Sequence, residues 1–184
     1  MISEQIKVKI YERQVIRMGG YESALRRRSV REYLEKPVER ELLIKLLEAG
    51  AAAPSAVNRC PWEFLVLTED ERMEELRGMM RFGKYNAPAA IIVCCDLNKV
   101  VREFVSVQDC FAATENILNA APDFGLGTVW LSAYGSEELD GKMRAAFGLP
   151  EHVRPTAVIY VGYPQSEPES RTQLSEENIH WEKY

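Results

Sequence analysis

APAAIIVCCD, residues 87–96, is the stretch that decides the fold. Its apolar residues run without a break from Ala89 to Cys95, between Pro88 and Asp96. Alternating apolar and polar residues indicate a strand with one face in water. A short continuous apolar run bounded by turn residues is instead typical of a strand covered on both faces. The sequence therefore predicts that residues 87–96 form a strand covered on both faces.

Three further strands and five helices are predicted around this run. The strands are residues 62–68 (WEFLVLT), 128–134 (TVWLSAY) and 155–164 (PTAVIYVGYP). The first helix is residues 21–29, and the second begins at Pro37 and is stopped by Pro54. The third begins at a capping box of Thr68 and Glu71 and runs to about Met80. The last two are residues 100–121 and Ser136 to Phe147, with Gly148 as the C-cap of the fifth. This interleaving favours a single α+β or α/β domain over residues 20–184. Residues 1–19 are predicted to be an N-terminal extension or arm, with a short strand over residues 6–10.

The long helix over residues 100–121 is apolar nearly all round, which predicts that it is buried. Polar residues inside a buried helix need hydrogen-bond partners, from the same chain or from another. The residues concerned are Gln108, Asp109, Glu115, Asn116 and Asn119.

Composition bounds the class of function. The chain has 184 residues and a formal net charge of −5, which does not suit a general nucleic-acid surface or an acidic membrane. No apolar run approaches the roughly 20 residues of a membrane span. The first ten residues lack a secretory apolar segment, so we expect a cytoplasmic protein.

The four cysteines show no pattern of a metal or redox site. They are Cys60, Cys94, Cys95 and Cys110, which form no CxxC pair and have no nearby histidine. We therefore predict no metal site and expect reduced, structural thiols.

RRRSVREY, residues 26–33, is the first candidate for ligand binding. Three arginines at the end of a helix can simply complement the helix dipole or form a solvated charge run. On an extended segment, however, Arg27, Ser29 and Arg31 would share one side. Two guanidinium groups that flank a hydroxyl suit a phosphate or the anionic edge of a ring.

SAVNRCPW, residues 55–62, is the second candidate. It can be a plain loop whose Trp62 anchors the core. Alternatively, Ser55 and Ala56 are small enough to let the backbone approach a planar ligand closely. Asn58 carries both a donor and an acceptor, so it is able to read the edge of a heterocycle.

GLGTVWLSAY, residues 125–134, and GYPQSEPESR, residues 162–171, complete the set. The GxG of the first stretch precedes a strand, which is the reverse of the Rossmann arrangement. A dinucleotide phosphate loop is therefore disfavoured and a turn is favoured. The second stretch carries Arg171, which would be an ordinary surface arginine if nothing else supported it.

Taken together, these stretches resemble the FMN-dependent nitroreductase family over nearly the whole chain from about Tyr21. RRSVREY is similar to the N-terminal flavin signature of the family, and APSAVNRCPWEF is similar to its second signature. APAAIIVCCD, GLGTVW and GYP followed by a basic residue come in the order and spacing of the family. No single motif is specific, but the five in order are.

The resemblance implies an α+β, nitroreductase-like fold with a central, mainly antiparallel sheet flanked by helices. It also implies an intertwined homodimer with two FMN sites at the subunit interface. Arg27 and Ser29 would contact the phosphate and ribityl end of FMN, and Arg28 occupies a more variable position of the signature. Arg31 would lie near the pyrimidine edge of the ring, and Arg171 would close on the phosphate.

The remaining implied contacts surround the isoalloxazine ring. Pro54, Ser55, Ala56 and Asn58 of the partner subunit would edge the ring. Leu131, Ser132 and Ala133 would lie on the N5 side, where the backbone amides of the last two would face the ring.

The implied activity is that of an FMN-dependent NAD(P)H oxidoreductase. Hydride would pass from NAD(P)H through flavin N5 to a nitroaromatic, a quinone or a similar small-molecule acceptor, in ping-pong turnover. No side chain is expected to act as a catalytic acid or base. Arg31 would stabilise the negative charge of the reduced ring.

Two departures from the family pattern leave alternatives open. Cys60 stands where the family usually has Gln, and the short segment before residue 88 leaves no room for the extra helices that cover the pocket in longer members. One alternative is an FMN-binding or sensing protein with little turnover. Another is a specialised relative that fragments flavin or removes halogen.

Overall fold

The computed structural model describes residues 19–184, which fold around one four-stranded sheet. The strands are β1 (Trp62–Leu67), β2 (Ala89–Asp96), β3 (Gly127–Ser132) and β4 (Val153–Gly162). Their order across the sheet is β1-β2-β4-β3, and all three pairings are antiparallel. The α+β class with an antiparallel sheet is therefore confirmed. The expected arm and its strand fall almost entirely on residues 1–18, outside the described residues.

Five α-helices surround this sheet in the described part of the chain. They are α1 (Gly20–Arg26), α2 (Arg40–Ala51), α3 (Asp70–Met79), α4 (Glu103–Ala120) and α5 (Glu137–Phe147). α2 ends three residues before Pro54, since a residue that precedes proline is pushed out of the helical region. A 3-10 turn over Ala121–Phe124 contains Pro122 and closes α4, and Gly125 caps the turn with a φ of 68°. No described helix is long and apolar enough to cross a membrane.

β2 is buried along its whole length, as its continuous apolar run predicts. Its odd-numbered residues, such as Ile91, belong to a core cluster that contains Leu46 of α2 and Ile117 of α4. Its even-numbered residues, such as Ile92, belong to a second cluster that contains Leu76 of α3 and Met143 of α5. Helices therefore cover both faces of the sheet. Each fully buried Leu or Ile contributes about 1.5–3 kcal/mol relative to an exposed one.

Several boundaries differ from the sequence predictions. α1 stops at Arg26, rather than continuing to residue 29, because Arg27 takes an extended backbone with a ψ of 124°. The capping box at Thr68 is wrong: the residue before α3 is Glu69, and no side chain caps the helix. By contrast, the Ser136 hydroxyl accepts a hydrogen bond from the Leu139 amide, and Gly148 closes α5 with a φ of 67°.

The prediction that α4 is buried all round is wrong for the single chain. The face that carries Val107, Cys110 and Ile117 is buried in the sheet-side core, but Phe104 is 59% exposed. Its polar residues differ in their hydrogen-bond partners and in their exposure. The Asn116 amide donates to the Ala49 carbonyl oxygen at 3.1 Å, whereas Gln108 and Glu115 lie at the surface.

Candidate functional site

The arginine segment, residues 26–31, lies along the outer edge of β3. β3 is an edge strand, and Ser29 forms a parallel bridge to Thr128 at its start. The Val30 amide donates to the Thr128 carbonyl oxygen at 2.9 Å. Since one extended segment pairs with the other, the backbone of Arg27 to Ser29 is fixed relative to the sheet.

A glycine makes this close approach possible. A Cβ added to Gly127 would lie 2.6–2.9 Å from three side-chain atoms of Val30, which is closer than carbon atoms approach in folded proteins. Gly127 was read from the sequence as a turn residue. Its role in the structure is to admit the arginine segment against β3.

Arg28 ties the tail of the chain to this segment. Its guanidinium donates to the carbonyl oxygens of Leu25 at 2.9 Å and of Arg171 at 3.1 Å, and also to that of Arg27. The Arg171 amide in turn donates to the Leu25 carbonyl oxygen at 3.1 Å. The structure thus brings Arg171 to the arginine segment, from which it is separated by 143 residues of sequence.

The result is a cluster of like charges. Loss of hydration, followed by repulsion from Arg171 and Arg27, lowers the pKa of the Arg28 guanidinium. Among the described residues, no carboxylate lies within 4.0 Å of it. Arg27 has only a long contact to Glu115, with 3.8 Å between Nε and Oε1, and Arg26 a 3.6 Å contact to Glu167. Exposed pairs of this kind are weak, so the cluster is suited to an anion that displaces or supplements them.

A cavity of about 450 Å³ opens beside the cluster. This volume lies within the usual range for small-molecule sites. Arg26, Arg27 and Arg28 line one side of the cavity. Most of the remaining lining is apolar and comes from α4, the α4–β3 turn and the segment after β4. It includes the apolar groups of Leu118, Leu126, Tyr163 and Pro164, together with the polar residues Thr128, Gln165 and Glu167. The cavity is therefore amphipathic, with a cationic end and an apolar wall.

Of the twelve residues that the sequence assigned to the site, only Arg27 and Arg28 line this cavity. The sequence missed its apolar wall. In the sequence, Leu118 is simply one of the apolar residues of the helix predicted over residues 100–121. The GYP stretch, residues 162–164, is only part of the family pattern. No local signal distinguishes a leucine that faces a cavity from one that faces a core.

The far end of β3 carries Leu131, Ser132 and Ala133. Five residues separate Gly127 from Ser132, or about 17 Å of strand. The Ala133 amide donates to the Thr156 carbonyl oxygen at 3.1 Å, so it is not available to a ring in the way the resemblance implies. Alternation along an antiparallel strand turns the Ser132 amide the other way, toward the open edge.

Residues 80–88 pack near this end of β3, and Arg31 lies in the extended segment that pairs with the start of β3. Arg31 is exposed, and its Nη1 donates to the Ser29 carbonyl oxygen at 3.1 Å. A Cβ on Gly83 would lie 2.5 Å from Leu131 Cδ1, so the segment around Gly83 packs closely on the end of β3. Residues 80–88 contain no helix, in agreement with the expectation of an uncovered pocket.

The ring-side loop, residues 54–60, follows α2 and has an unusual backbone. Val57, Asn58 and Cys60 have φ values of 54°, 54° and 47°. Inside the loop, the Cys60 amide donates to Ser55 Oγ at 2.9 Å and the Asn58 amide to the Ser55 carbonyl oxygen at 3.0 Å. Cys60 Sγ lies 3.7 Å from Ser55 Oγ. Here the Cys60 side chain serves the internal contacts of the loop.

The chain does not bring this loop to its own arginine segment. The Ala56 amide donates to Oδ1 of Asp109 at 3.1 Å, which places the loop against the first half of α4. Leu118, which lines the cavity, is nine residues further on. Nine residues amount to about 13 Å along a helix and half a turn around it. The loop and the cavity of one chain therefore lie on opposite sides of α4.

The fold and this cleft define an α+β protein with a cationic, amphipathic cleft at the edge of an antiparallel sheet. A model of the Nitroreductase family matches residues 24–83 and 80–163. The chain belongs to the nitroreductase family.

Relatives agree over most of the chain. A Methanothermobacter thermautotrophicus protein named as an NADH dehydrogenase/NAD(P)H nitroreductase is 40% identical over 99% of this chain and 97% of its own. A crystal structure of a protein with the same name, from Bacteroides thetaiotaomicron, has 36% identity and a TM-score of 0.84, and it covers 91% of this chain and 100% of that one. A nitroreductase from Desulfovibrio desulfuricans, crystallised in complex with FMN, has 29% identity and a TM-score of 0.76 over 91% and 98% of the two chains.

Proposed function

We propose that the protein is an FMN-dependent oxidoreductase that takes electrons from NAD(P)H and passes them to a nitroaromatic, a quinone or a similar acceptor. The observation that carries this proposal is the arginine cluster, into which Arg171 folds back to join Arg27 and Arg28 beside an amphipathic cavity. The anionic phosphate of FMN matches the cationic side of this cavity. The FMN complex of the D. desulfuricans relative supports the same cofactor.

The residues present fit this cofactor. Arg27, Arg28 and Arg171 would hold the phosphate, since these guanidinium groups repel one another and gain from an anion between them. Ser29 is at the same edge of β3 and would contact the ribityl end. When bound, FMN supplies the two-electron redox chemistry that no side chain of this chain offers. Arg31, exposed and bonded only to the Ser29 carbonyl oxygen among the described residues, would stabilise negative charge at the edge of the ring.

We propose further that the site is completed across a homodimer. Pro54, Ser55, Ala56 and Asn58 lie across α4 from the cavity of their own chain, so they would serve the cavity of a second copy. The exposed Phe104 on α4 and the buried Oδ2 of Asp109, which has no partner among the described residues, support a further contact at this helix. In this arrangement Leu131, Ser132 and Ala133 would border the ring from the same chain as the arginines.

A second candidate is a protein that holds FMN with little turnover. It is favoured by Cys60, whose thiol is engaged within its own loop, and by residues 80–88, which contain no covering helix. Such a protein would use the same residues to bind the cofactor but would lack a rapid exchange of electrons.

Absorption spectra under anaerobic conditions test the proposal and separate the two candidates. The purified protein, loaded with FMN, is mixed with NADH or NADPH and then with a nitroaromatic such as 4-nitrobenzoate. We expect the visible absorption of the flavin, at about 450 nm for cofactors of this class, to bleach rapidly and to return on addition of the acceptor. Persistent colour in the presence of both nucleotides would leave the binding protein as the better description. A protein that retains no FMN would contradict both.

A further inference from the structure

The ring-side loop has a backbone conformation that is sterically unfavourable for the residues that adopt it. Val57 is β-branched, yet its φ of 54° lies in the left-handed region that such residues rarely enter. Asn58 and Cys60 are also left-handed. Val57 is 78% exposed, so its packing does not compensate for the strain. Something outside the loop must therefore help to fix it.

Asp109 of α4 provides that contact. Its Oδ1 accepts the hydrogen bond from the Ala56 amide at 3.1 Å. Among the described residues, this is the one hydrogen bond that joins residues 54–60 to a side chain from another part of the chain. The accepting group is a carboxylate, which makes the bond stronger than one between neutral groups.

Asp109 is poorly suited to a purely structural role. It is only 8% exposed, and its Oδ2 is buried with no partner among the described residues. Burying a carboxylate with a single hydrogen bond costs stability, and an apolar residue would pack there at lower cost. The stability of the core therefore does not explain an aspartate at this position, whereas its hydrogen bond to the loop does.

The loop and the cavity of one chain are both attached to α4. Glu115 of α4 contacts Arg27, and Leu118 lines the cavity. In the proposed homodimer the loop of one chain serves the cavity of the other, so the bond from Asp109 to Ala56 fixes the loop that each chain presents to its partner.

We infer that Asp109 is a positioning residue for the ring-side wall: its carboxylate oxygen holds the Ala56 amide and thereby keeps Val57 and Asn58 in the left-handed turn that meets the flavin. This inference rests on the proposed function for the identity of the ligand. The hydrogen bond and the turn themselves do not depend on it.

Two substitutions at Asp109 test the role of the acceptor. Asp109→Ala removes it, and Asp109→Asn retains a carbonyl oxygen of the same reach. We expect Asp109→Ala to weaken FMN binding about tenfold and to speed exchange of the Ala56 amide hydrogen by at least about as much. We expect Asp109→Asn to stay within roughly threefold of wild type in both. Fluorescence titration measures the first quantity, and NMR of the full chain without added FMN measures the second.

Thr114→Val is the matched control. Thr114 is a fully buried residue of the same helix, and its Oγ1 donates to the Cys110 carbonyl oxygen at 2.8 Å. Its loss destabilises α4 without touching the loop. We expect a lower melting temperature with unchanged FMN affinity and an unchanged visible circular dichroism spectrum of the bound flavin. The same spectrum should change for Asp109→Ala, because the wall around the ring has moved.

Ala56→Pro tests the bond from the other side, and it serves if Asp109→Ala does not fold. Proline removes the donor at the first residue of the 3-10 turn, a position whose backbone accepts it. We expect about a tenfold loss of FMN affinity and no further loss when Asp109→Ala is added, because both changes remove the same bond.

Three outcomes would overturn the inference: wild-type affinity in Asp109→Ala, Asp109→Asn as weak as Asp109→Ala, or additive losses in the double variant. If the wild-type protein binds no FMN, the proposed function fails. Protection of the Ala56 amide in wild type and its loss in Asp109→Ala would still show that Asp109 holds the turn.

Discussion

The arginine segment and the ring-side loop form the two halves of the candidate site, and they are built in opposite ways. The arginine segment has an ordinary extended backbone that pairs with Thr128. Its unfavourable feature is the repulsion between like charges, because cations lie side by side around Arg28. The ring-side loop carries a single charge, that of the exposed Arg59. Its unfavourable feature is the backbone, with left-handed φ values at Val57, Asn58 and Cys60.

The difference indicates what each half would do for a ligand. Repulsion among guanidinium groups is relieved when an anion binds, so the arginine segment supplies binding energy. The left-handed turn is already formed in the chain without a ligand, where Asp109 and the Ser55 hydrogen bonds hold it in place. The loop therefore supplies shape, at a steric cost that the fold bears permanently.

The largest expected effect is on the charged half. Arg27→Ala should weaken FMN binding about 10- to 100-fold, because a charge-assisted contact to the phosphate is lost. It should leave the affinity for riboflavin, which has no phosphate, nearly unchanged. Fluorescence titrations with both ligands measure this. Arg72→Ala is the control, since Arg72 pairs with Glu75 at 2.9 Å on the exposed side of α3. Equal losses for FMN and riboflavin would mean that Arg27 does not contact the phosphate.

Mixing two inactive chains sharpens the same comparison. Ala56→Trp blocks the loop, and Arg27→Ala disables the arginine segment. If the halves come from different subunits, a heterodimer of the two variants has one intact site and one doubly altered site. Unfolding and refolding an equimolar mixture should then restore tight FMN binding to about a quarter of the sites. No recovery would place both halves of the site in the same chain.

A smaller effect is expected from the packing that holds the arginine segment in place. Gly127→Ala should destabilise the fold by about 1–3 kcal/mol, because the new methyl group collides with Val30. Adding Val30→Ala should recover part of this loss, which denaturant titration measures. Gly78→Ala, with nothing within 4 Å of the new methyl group and a helical position in α3, should instead be neutral or stabilising. A Val30→Ala change that only adds to the loss would show that the two residues are not in conflict.

The smallest effect is expected in the strained half. Val57→Gly should stabilise the protein by up to about 1 kcal/mol, since glycine enters the left-handed region freely and Val57 has no packing to lose. Val101→Gly is the matched control: it is 51% exposed but has no positive φ, so it should destabilise. A loss of stability in Val57→Gly, as large as that of the control, would mean that the turn is not strained.

Much of the fold follows from local pattern. The continuous run from Ala89 to Cys95 predicts a strand covered on both faces, and β2 is that strand. Ser136 and Gly148 mark the ends of α5 because caps are decided by neighbouring residues. Thr68 fails as a cap for the same local reason, since α3 begins one residue later and leaves its hydroxyl out of register.

The candidate site is only partly predictable in this way. The sequence by itself determined the family, the arginines and the small residues of the ring-side loop, because residue types and their order along the chain carry that information. The resemblance implied that Arg171 and the loop take part in one kind of site, but only the tertiary structure shows what they contact. Arg171 bonds to Leu25 and Arg28, the loop bonds to Asp109 across α4 from the arginines of its own chain, and Leu118 and Tyr163 line a cavity. These features depend on contacts between residues far apart in the chain, which form only when the sheet and helices pack.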